Sequence, residues 1–339
     1  MQKILTLLNP ELAHNLTINI LSKTGASPLS FFYRQPTEFS PVEVMGLQFR
    51  NRVGLAAGFD KNGEAIDAFE AMGFGFVEVG TVTPKAQPGN TKPRLFRLKK
   101  SKAVINRLGF NNKGVDNLVS NLKARKSKIP VGVNIGKNKS TPIEHAQKDY
   151  IFCMEKVYEH ASYITINISS PNTKNLRSMQ SGALLDDLLG SLKEKQQSLT
   201  NSEGRYVPLV LKIAPDLTKE EVGLIAEALL NYEFDGVVAT NTTVDRSSIM
   251  HEKNAHQEGG LSGAPLCQKS TEVITLLYEY LGDKVPIIGV GGITSVIDGK
   301  QKLEAGAQLL QLYTGFIYEG LPLIKDLAKI NKDIFVGRV

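Results

Sequence analysis

Tryptophan is absent from this chain, and only two cysteines, Cys153 and Cys267, occur among its 339 residues. With no CxxC pair, a zinc knuckle and a Cys-ligated iron–sulfur cluster are excluded in practice. Two distant thiols fit a reducing compartment. Long apolar runs are missing too: none approaches the roughly 18–20 residues of a membrane-spanning helix. The opening MQKILTLLNPELAHNL lacks a long apolar core and a small-residue cleavage site, so it does not read as a signal peptide. Histidine is scarce. His14, His145, His160, His251 and His256 all fall away from the expected strand ends, and no carboxylate pair occurs there. Hydrolytic acid/base machinery and metal clusters are therefore not expected. No dense Lys/Arg stripe interleaves with aromatics, so nucleic acid is not an expected partner. Nothing points to an obligate protein partner.

What is present is a soluble, globular composition, 42% hydrophobic and 22% charged. The net charge of +6 suits acidic ligands or an anionic membrane surface. From residue 53 short apolar runs alternate with amphipathic segments: VGLAAG (53–58), FVEVGTV (76–82), VGVNIG (131–136), YITINISS (163–170), LVLKIAP (209–215), GVVATNT (236–242), PIIGVGG (286–292) and LLQLYTG (309–315). They are rich in Val, Ile and Leu with little alternation, as parallel strands buried on both faces should be. Eight βα units over roughly 260 residues predict an α/β fold, a (β/α)8 TIM barrel with a small N-terminal amphipathic helical extension. A doubly wound sheet is the alternative, but no G-x-G-x-x-G turn supports it. We expect residues 1–40 to form the extension and 41–339 the barrel. VEVMGLQFRN (42–51) reads as a hairpin closing the bottom, and residues 93–98 with 103–105 as a second hairpin over the top. Long loops follow strand four (171–182) and strand six (243–266); loops of this length are usually functional.

In the extension Leu12, Leu16 and Ile20 recur at helical spacing, with Ala13 and Leu21 beside them. Ser30-Phe31-Phe32-Tyr33-Arg34 follows Pro28. The pattern leaves two readings open. The apolar faces dock on the barrel, or they form a membrane-surface anchor and the mouth of a tunnel for an apolar ligand.

TIM barrels carry their active sites at the C-terminal strand ends. Here those ends offer Asn134, Asn167 and Asn241, with Asn106 and Asn172 in nearby loops. An amide presents a donor and an acceptor in one plane, complementary to a ring built of –NH–CO– units such as a pyrimidine or an isoalloxazine. One such Asn is ordinary turn chemistry; five converging ones are costly to bury without partners. Gly259-Gly260-Leu261-Ser262-Gly263, Gly291-Gly292 and Tyr313-Thr314-Gly315 suit a phosphate held by backbone N–H groups. Lys212, inside an apolar strand, needs either an internal salt bridge or an anionic ligand ring.

The motifs AGFDKNG (57–63), VGTVTPKAQPGNTKPRLFRL (79–98), NRLGFNN (106–112), NISSPNT (167–173), LKIAPD (211–216), ATNTT (239–243), GGLSG (259–263), GVGGI (289–293) and QLYTGF (311–316) together resemble dihydroorotate dehydrogenase of the membrane-associated, quinone-dependent class. The likeness runs from about residue 10 to the end. It implies FMN across the barrel mouth and oxidation of (S)-dihydroorotate to orotate in pyrimidine synthesis. A membrane quinone would be the final electron acceptor, and the protein would sit peripherally on the cytoplasmic face of the cell (inner) membrane. By motif, Ser170 corresponds to the catalytic base. Asn106, Arg107, Leu108, Gly109, Phe110, Asn167, Asn172, Asn241, Thr242 and Lys61 would meet the substrate. Ala57, Gly58, Phe59, Asp60, Lys61, Thr81, Asn134, Asn167, Lys212, Thr240, Gly263, Gly292, Tyr313 and Thr314 would hold FMN. The soluble relatives use Cys as base, and neither cysteine of this chain lies in the strand-four loop. Two rival readings are another FMN barrel acting on dihydropyrimidine or dihydrouridine, and a non-catalytic, membrane-associated phosphate-binding barrel.

Overall fold

The computed structural model describes residues 8–330; the outer parts of the two expected segments, 1–7 and 331–339, lie outside it. Eight parallel strands close into a barrel in the order β3 (Val53–Leu55), β4 (Phe76–Val82), β7 (Val131–Ile135), β8 (Tyr163–Asn167), β9 (Leu209–Ile213), β10 (Gly236–Ala239), β12 (Ile287–Val290) and β13 (Ala307–Leu312). Helices follow each strand and bury their apolar stripes outside the barrel wall. One of them, Lys219–Asn231, opens with a full capping box between Thr218 and Glu221.

The barrel interior is a packed core. Near the bottom, Phe76 and Tyr163 fill it, and their register partners on the adjacent strands, Gly54 and Gly132, give way to them. A Cβ on Gly132 would lie 2.1 Å from the Tyr163 ring. Alternation of small and large residues is how an eight-stranded barrel fills its interior. The expected bottom hairpin is present as β1 (Val42–Val44) and β2 (Leu47–Phe49), and Phe49 packs edge-on to Phe76 at 5.1 Å.

Over the top, β5 (Leu95–Leu98) and β6 (Ala103–Asn106) form the expected hairpin. A third strand, β11 (Gly260–Gly263), joins them antiparallel to β6. This Gly-Leu-Ser-Gly stretch, expected to help hold a phosphate, is paired along its length as a strand. Most barrel strands stop earlier than the apolar runs suggested. Strand β8 ends at Asn167, for instance, and the residues after it are already irregular.

Among the described residues the extension contains one α-helix, Pro10–Thr24, and one 3₁₀ helix, Pro28–Phe32. Asn9 caps the first through its side chain, with Pro at the first helical position. Both readings of its apolar residues have a counterpart. Ala13, Ile18 and Leu21 are buried and dock the helix on the barrel, beside strand β5 and the helix Ile66–Ala71. Leu12, Leu16, Ile20, Leu29, Phe31 and Phe32 remain exposed, the two phenylalanines each at 79%. Among the described residues no helix is long and apolar enough to cross a membrane.

Candidate active site

The barrel's strand register decides which side chains meet at the mouth. Asn134 pairs with Thr165 and Gly80, and two residues further along β8 Asn167 pairs with Lys212, so polar side chains from adjacent strands stack in successive levels toward the mouth. Above them opens a cavity of about 970 Å³ including its mouth. Of the expected substrate residues, Lys61, Asn106, Asn167, Asn172, Asn241 and Thr242 line it, as do Leu108, Gly109 and Phe110. Ser170, 5% exposed, lines it too. Of the expected cofactor residues, Ala57, Gly58, Thr81, Lys212, Thr240 and Gly263 line it, with Gly292, Tyr313 and Thr314.

Four expected residues do not line this cavity. Arg107 turns outward: it donates to Gln257 Oε1 (3.0 Å) and Pro93 O (2.8 Å) and lies over the Phe96 ring. Asp60 accepts from the Glu64 and Ala65 N–H groups (2.9 and 2.8 Å), and so ties down the turn into the helix Ile66–Ala71. Burial lifts its pKa to about 6. Phe59 sits behind Tyr313, edge-on at 5.4 Å. Asn134 lies beneath the cavity floor, with both ends of its amide engaged by the protein.

The segment after β8 is tightly held. Ser170 Oγ accepts from the Asn172 N–H at 3.2 Å, a local turn bond that leaves the hydroxyl hydrogen free to turn toward the cavity. Asn172 donates through Nδ2 to Asn106 Oδ1 (3.2 Å), and Asn241 donates to Ser169 Oγ (3.0 Å). Arg177, on the 3₁₀ turn Leu176–Gln180, clamps this region. It donates to Ser169 O (3.1 Å), to Thr242 O (2.7 Å) and to Asp216 Oδ2 (2.9 Å). Asp216 also accepts from Lys269 (2.8 Å), the Val244 N–H (3.1 Å) and Thr243 Oγ1.

Two lysines put positive charge in the cavity. Lys212 is 5% exposed and, among the described residues, forms no hydrogen bond or ion pair. Burial lowers its pKa, opposed by the buried Glu78 carboxylate below. Lys61 donates to Gly58 O at 2.8 Å. Burial and the nearby Arg94 bring its pKa down to about 8, against the pull of Glu11 and Asp60. Opposite, backbones approach so closely that side chains are excluded. A Cβ on Gly292, at φ +74°, would sit 2.4 Å from Cys267 N, and one on Gly315 would sit 1.9 Å from Ile293 O. Amides, a bare ammonium and this glycine cradle suit a planar polar ring attached to a phosphate.

Several lining residues escaped the sequence reading. Ser262 Oγ lies 2.8 Å from Thr314 Oγ1, and Gln311 donates to Glu78 at 2.7 Å. Glu78 itself, fully buried, is the centre of the polar layer below the floor. Its sequence signal, one charge inside the apolar run FVEVGTV, was the same as that of Lys212.

A second, apolar cavity of about 1320 Å³, again counted with its mouth, lies between the extension and the barrel. Ala13, His14, Phe32, Phe59, Leu95 and Phe316 are among its walls. Tyr313 lines both cavities and so stands between them. His14 packs edge-on to Phe59 at 5.4 Å, and burial beside Lys61 lowers its pKa to about 3.

Comparison with known proteins places the chain among relatives of one name. The family profile for dihydroorotate dehydrogenase matches residues 40–334. A protein of Shewanella loihica named dihydroorotate dehydrogenase (quinone) is 61% identical over 327 residues, 96% of each chain. One of the same name from Vibrio parahaemolyticus is 59% identical over 322 residues, 95% of this chain and 96% of that one. The ligand-free crystal structure of the Eimeria tenella enzyme DHODH superposes with a TM-score of 0.85 at 40% identity, covering 94% of this chain and 93% of that one.

Proposed function

The chain belongs to the dihydroorotate dehydrogenase family, and from that premise we propose that it oxidises (S)-dihydroorotate to orotate in pyrimidine synthesis, with FMN as cofactor and a membrane quinone as final acceptor. One observation carries the reading: Asn106, Asn167, Asn172 and Asn241 converge on a single cavity with Ser170 among them. The four amides supply the donors and acceptors that a pyrimidine ring of alternating N–H and C=O requires. Lys61 meets the ring's carboxylate. FMN, when bound, supplies the hydride acceptor for C6 of the substrate. The fit for it rests on Gly263, Gly292 and Gly315 in the cavity wall, where no side chain covers the backbone, and on the unpaired Lys212 ammonium.

Ser170 takes the proton from C5. A hydroxyl is a weak base at neutral pH, so its use depends on positioning, on exclusion of bulk water and on its own proton passing onward through a water or a neighbouring threonine as the C5 proton arrives. Positioning comes from the Asn172 N–H and from Arg177, which grips the carbonyls of Ser169 and Thr242. The segment 171–182 covers the cavity and excludes water once substrate is in place. The apolar cavity takes the quinone ring, with Tyr313 and Phe59 bridging to the barrel mouth. The exposed Leu12, Leu16, Ile20, Phe31 and Phe32 rest on the cytoplasmic face of the inner membrane, and the cationic net charge favours anionic lipid.

The test is anaerobic mixing of the purified yellow protein with dihydroorotate, followed by a quinone, fumarate or NAD. The expected result is bleaching of the flavin and recovery of colour with quinone alone. A colourless protein would favour the non-catalytic barrel, and recovery with fumarate would remove the quinone assignment.

A further inference from the structure

We propose that Glu78 is a positioning residue: it sets the donor/acceptor sense of a chain of asparagine amides, and thereby which edge of a pyrimidine the cavity accepts. The inference rests on the function proposed above and goes below the cavity floor.

Glu78 is fully buried in β4, and four donors surround its carboxylate. Asn134 Nδ2 reaches Oε1 at 2.8 Å. Gln311 Nε2 (2.7 Å), Tyr163 OH (3.1 Å) and Thr165 Oγ1 (3.1 Å) reach Oε2. All four neighbours donate to it, so both carboxylate oxygens act as acceptors and the NH₂ group of Asn134 faces them. The Asn134 oxygen then faces the other way, where it accepts from Asn167 Nδ2 at 3.1 Å and from Thr81 Oγ1. That fixes Asn167 in turn. Its oxygen accepts from Asn241 Nδ2 at 3.4 Å, and the Asn241 oxygen accepts from the Thr242 N–H at 2.8 Å. All three amides therefore run in one sense, NH₂ toward Glu78 and oxygen away.

The far end of the chain gives an independent check. Backbone N–H groups only donate, and those of Ser169 (3.3 Å to Asn167 Oδ1) and Thr242 meet amide oxygens. An amide reversed anywhere along the chain would set NH₂ against NH₂, or oxygen against oxygen. Asn134 does not line the cavity, but Asn167 and Asn241 do. What they have left to offer a ligand is set at one end by a carboxylate that does not line the cavity, and at the other by backbone N–H groups.

The exchange variant Glu78→Gln/Asn134→Asp tests this sharply. Glu78→Gln alone can present either oxygen or NH₂ to Asn134, so that end of the chain is no longer dictated, and only the Ser169 and Thr242 N–H groups still favour one direction at the other. Adding Asn134→Asp restores a group that only accepts. The new carboxylate takes the Asn167 NH₂ on one side and the NH₂ of the amide introduced at position 78 on the other. The oxygen of that introduced amide then faces Gln311, Tyr163 and Thr165. Orotate affinity is read from the perturbation of the flavin spectrum, with thermal melting and flavin content measured in parallel. The expected result is a Kd raised about tenfold or more in Glu78→Gln with flavin retained, and a return to within about threefold of the parent in the exchange variant. A Glu78→Gln Kd within about twofold of the parent, or an exchange variant that binds no better than the single one, overturns the proposal. If the single variant does not fold, a neutron map of the parent protein reads the amides directly. Aligned amides support the proposal, and an inverted Asn134 or Asn167 overturns it. Failure of the parent to bind orotate would sink the functional reading instead, and the neutron map distinguishes the two.

Discussion

Replacing Arg177 with lysine should loosen the segment that carries Ser170 without emptying the cavity. The guanidinium spans three acceptors at 2.7–3.1 Å, two of them backbone carbonyls on different loops. A lysine ammonium is a compact point charge. It can keep the contact with Asp216 but cannot bridge both carbonyls. Each hydrogen bond from a charged donor contributes about 1.5–3 kcal/mol. Losing two, offset by partial rehydration of the freed carbonyls, leaves a net cost of about 2 kcal/mol. Since about 1.4 kcal/mol is tenfold, opening of residues 171–182 should become roughly 30 times more frequent. Hydrogen exchange followed by mass spectrometry reads this directly, and stopped-flow displacement of orotate should show faster release of similar size. Unchanged protection of 171–182 would refute the reasoning, because the clamp would then not hold the loop. The clamp also has a defined pH response. Burial alone would raise the pKa of Asp216, but Lys269, Thr243, the Val244 N–H and Arg177 more than reverse this and hold it below the usual value. A depressed carboxylate contributes stability above its unfolded pKa of about 3.9 and loses it as pH falls through the lower folded value. Protection should therefore be flat from about pH 5 to 8 and fall only on the acid side of about pH 4.

Three further outcomes follow from the geometry. Ser170→Ala should lose most of the flavin reduction rate at neutral pH while orotate still binds, because Asn172 and Asn241 remain; rapid-mixing absorbance separates the two effects. In the unliganded protein burial brings Lys61 down to about 8, so orotate affinity should hold below that pH and weaken by up to about tenfold per pH unit above it; in Lys61→Met the pH dependence should vanish. Leu29→Ser/Phe31→Ser should release the protein from anionic vesicles in a flotation assay while its turnover with a short-tailed soluble quinone persists, since each of these exposed side chains, neither of which lines the apolar cavity, contributes about 1.5–3 kcal/mol when buried in lipid.

The barrel was legible in the sequence because parallel strands buried on both faces read as unbroken Val/Ile/Leu runs, as in LVLKIAP and PIIGVGG. Strand β11 was not. Gly-Leu-Ser-Gly carries no strand propensity, and it becomes a strand only by pairing with β6, far away in the chain. The amide cluster was visible because three asparagines end three apolar runs. Asn134 was assigned to the cofactor, yet the closed barrel sets it one layer lower, among Glu78, Thr81 and Asn167, a depth that spacing cannot reveal. Arg107 stands in a motif whose neighbours Asn106, Leu108, Gly109 and Phe110 line the cavity, but it follows the end of β6 and its side chain leaves on the outer face. In the extension, helical spacing picked out Leu12, Leu16 and Ile20. The docking face uses Ala13 and Leu21, which the pattern set beside those three, together with Ile18, and leaves Leu12, Leu16 and Ile20 exposed.

The central claim is that side-chain amides grip a pyrimidine ring beside a serine hydroxyl, and a structure of the orotate complex tests it most directly. The account predicts the ring within hydrogen-bond distance of Asn106, Asn167, Asn172 and Asn241, with Ser170 Oγ facing C5. A ring bound elsewhere, or touching none of the four amides, would contradict it.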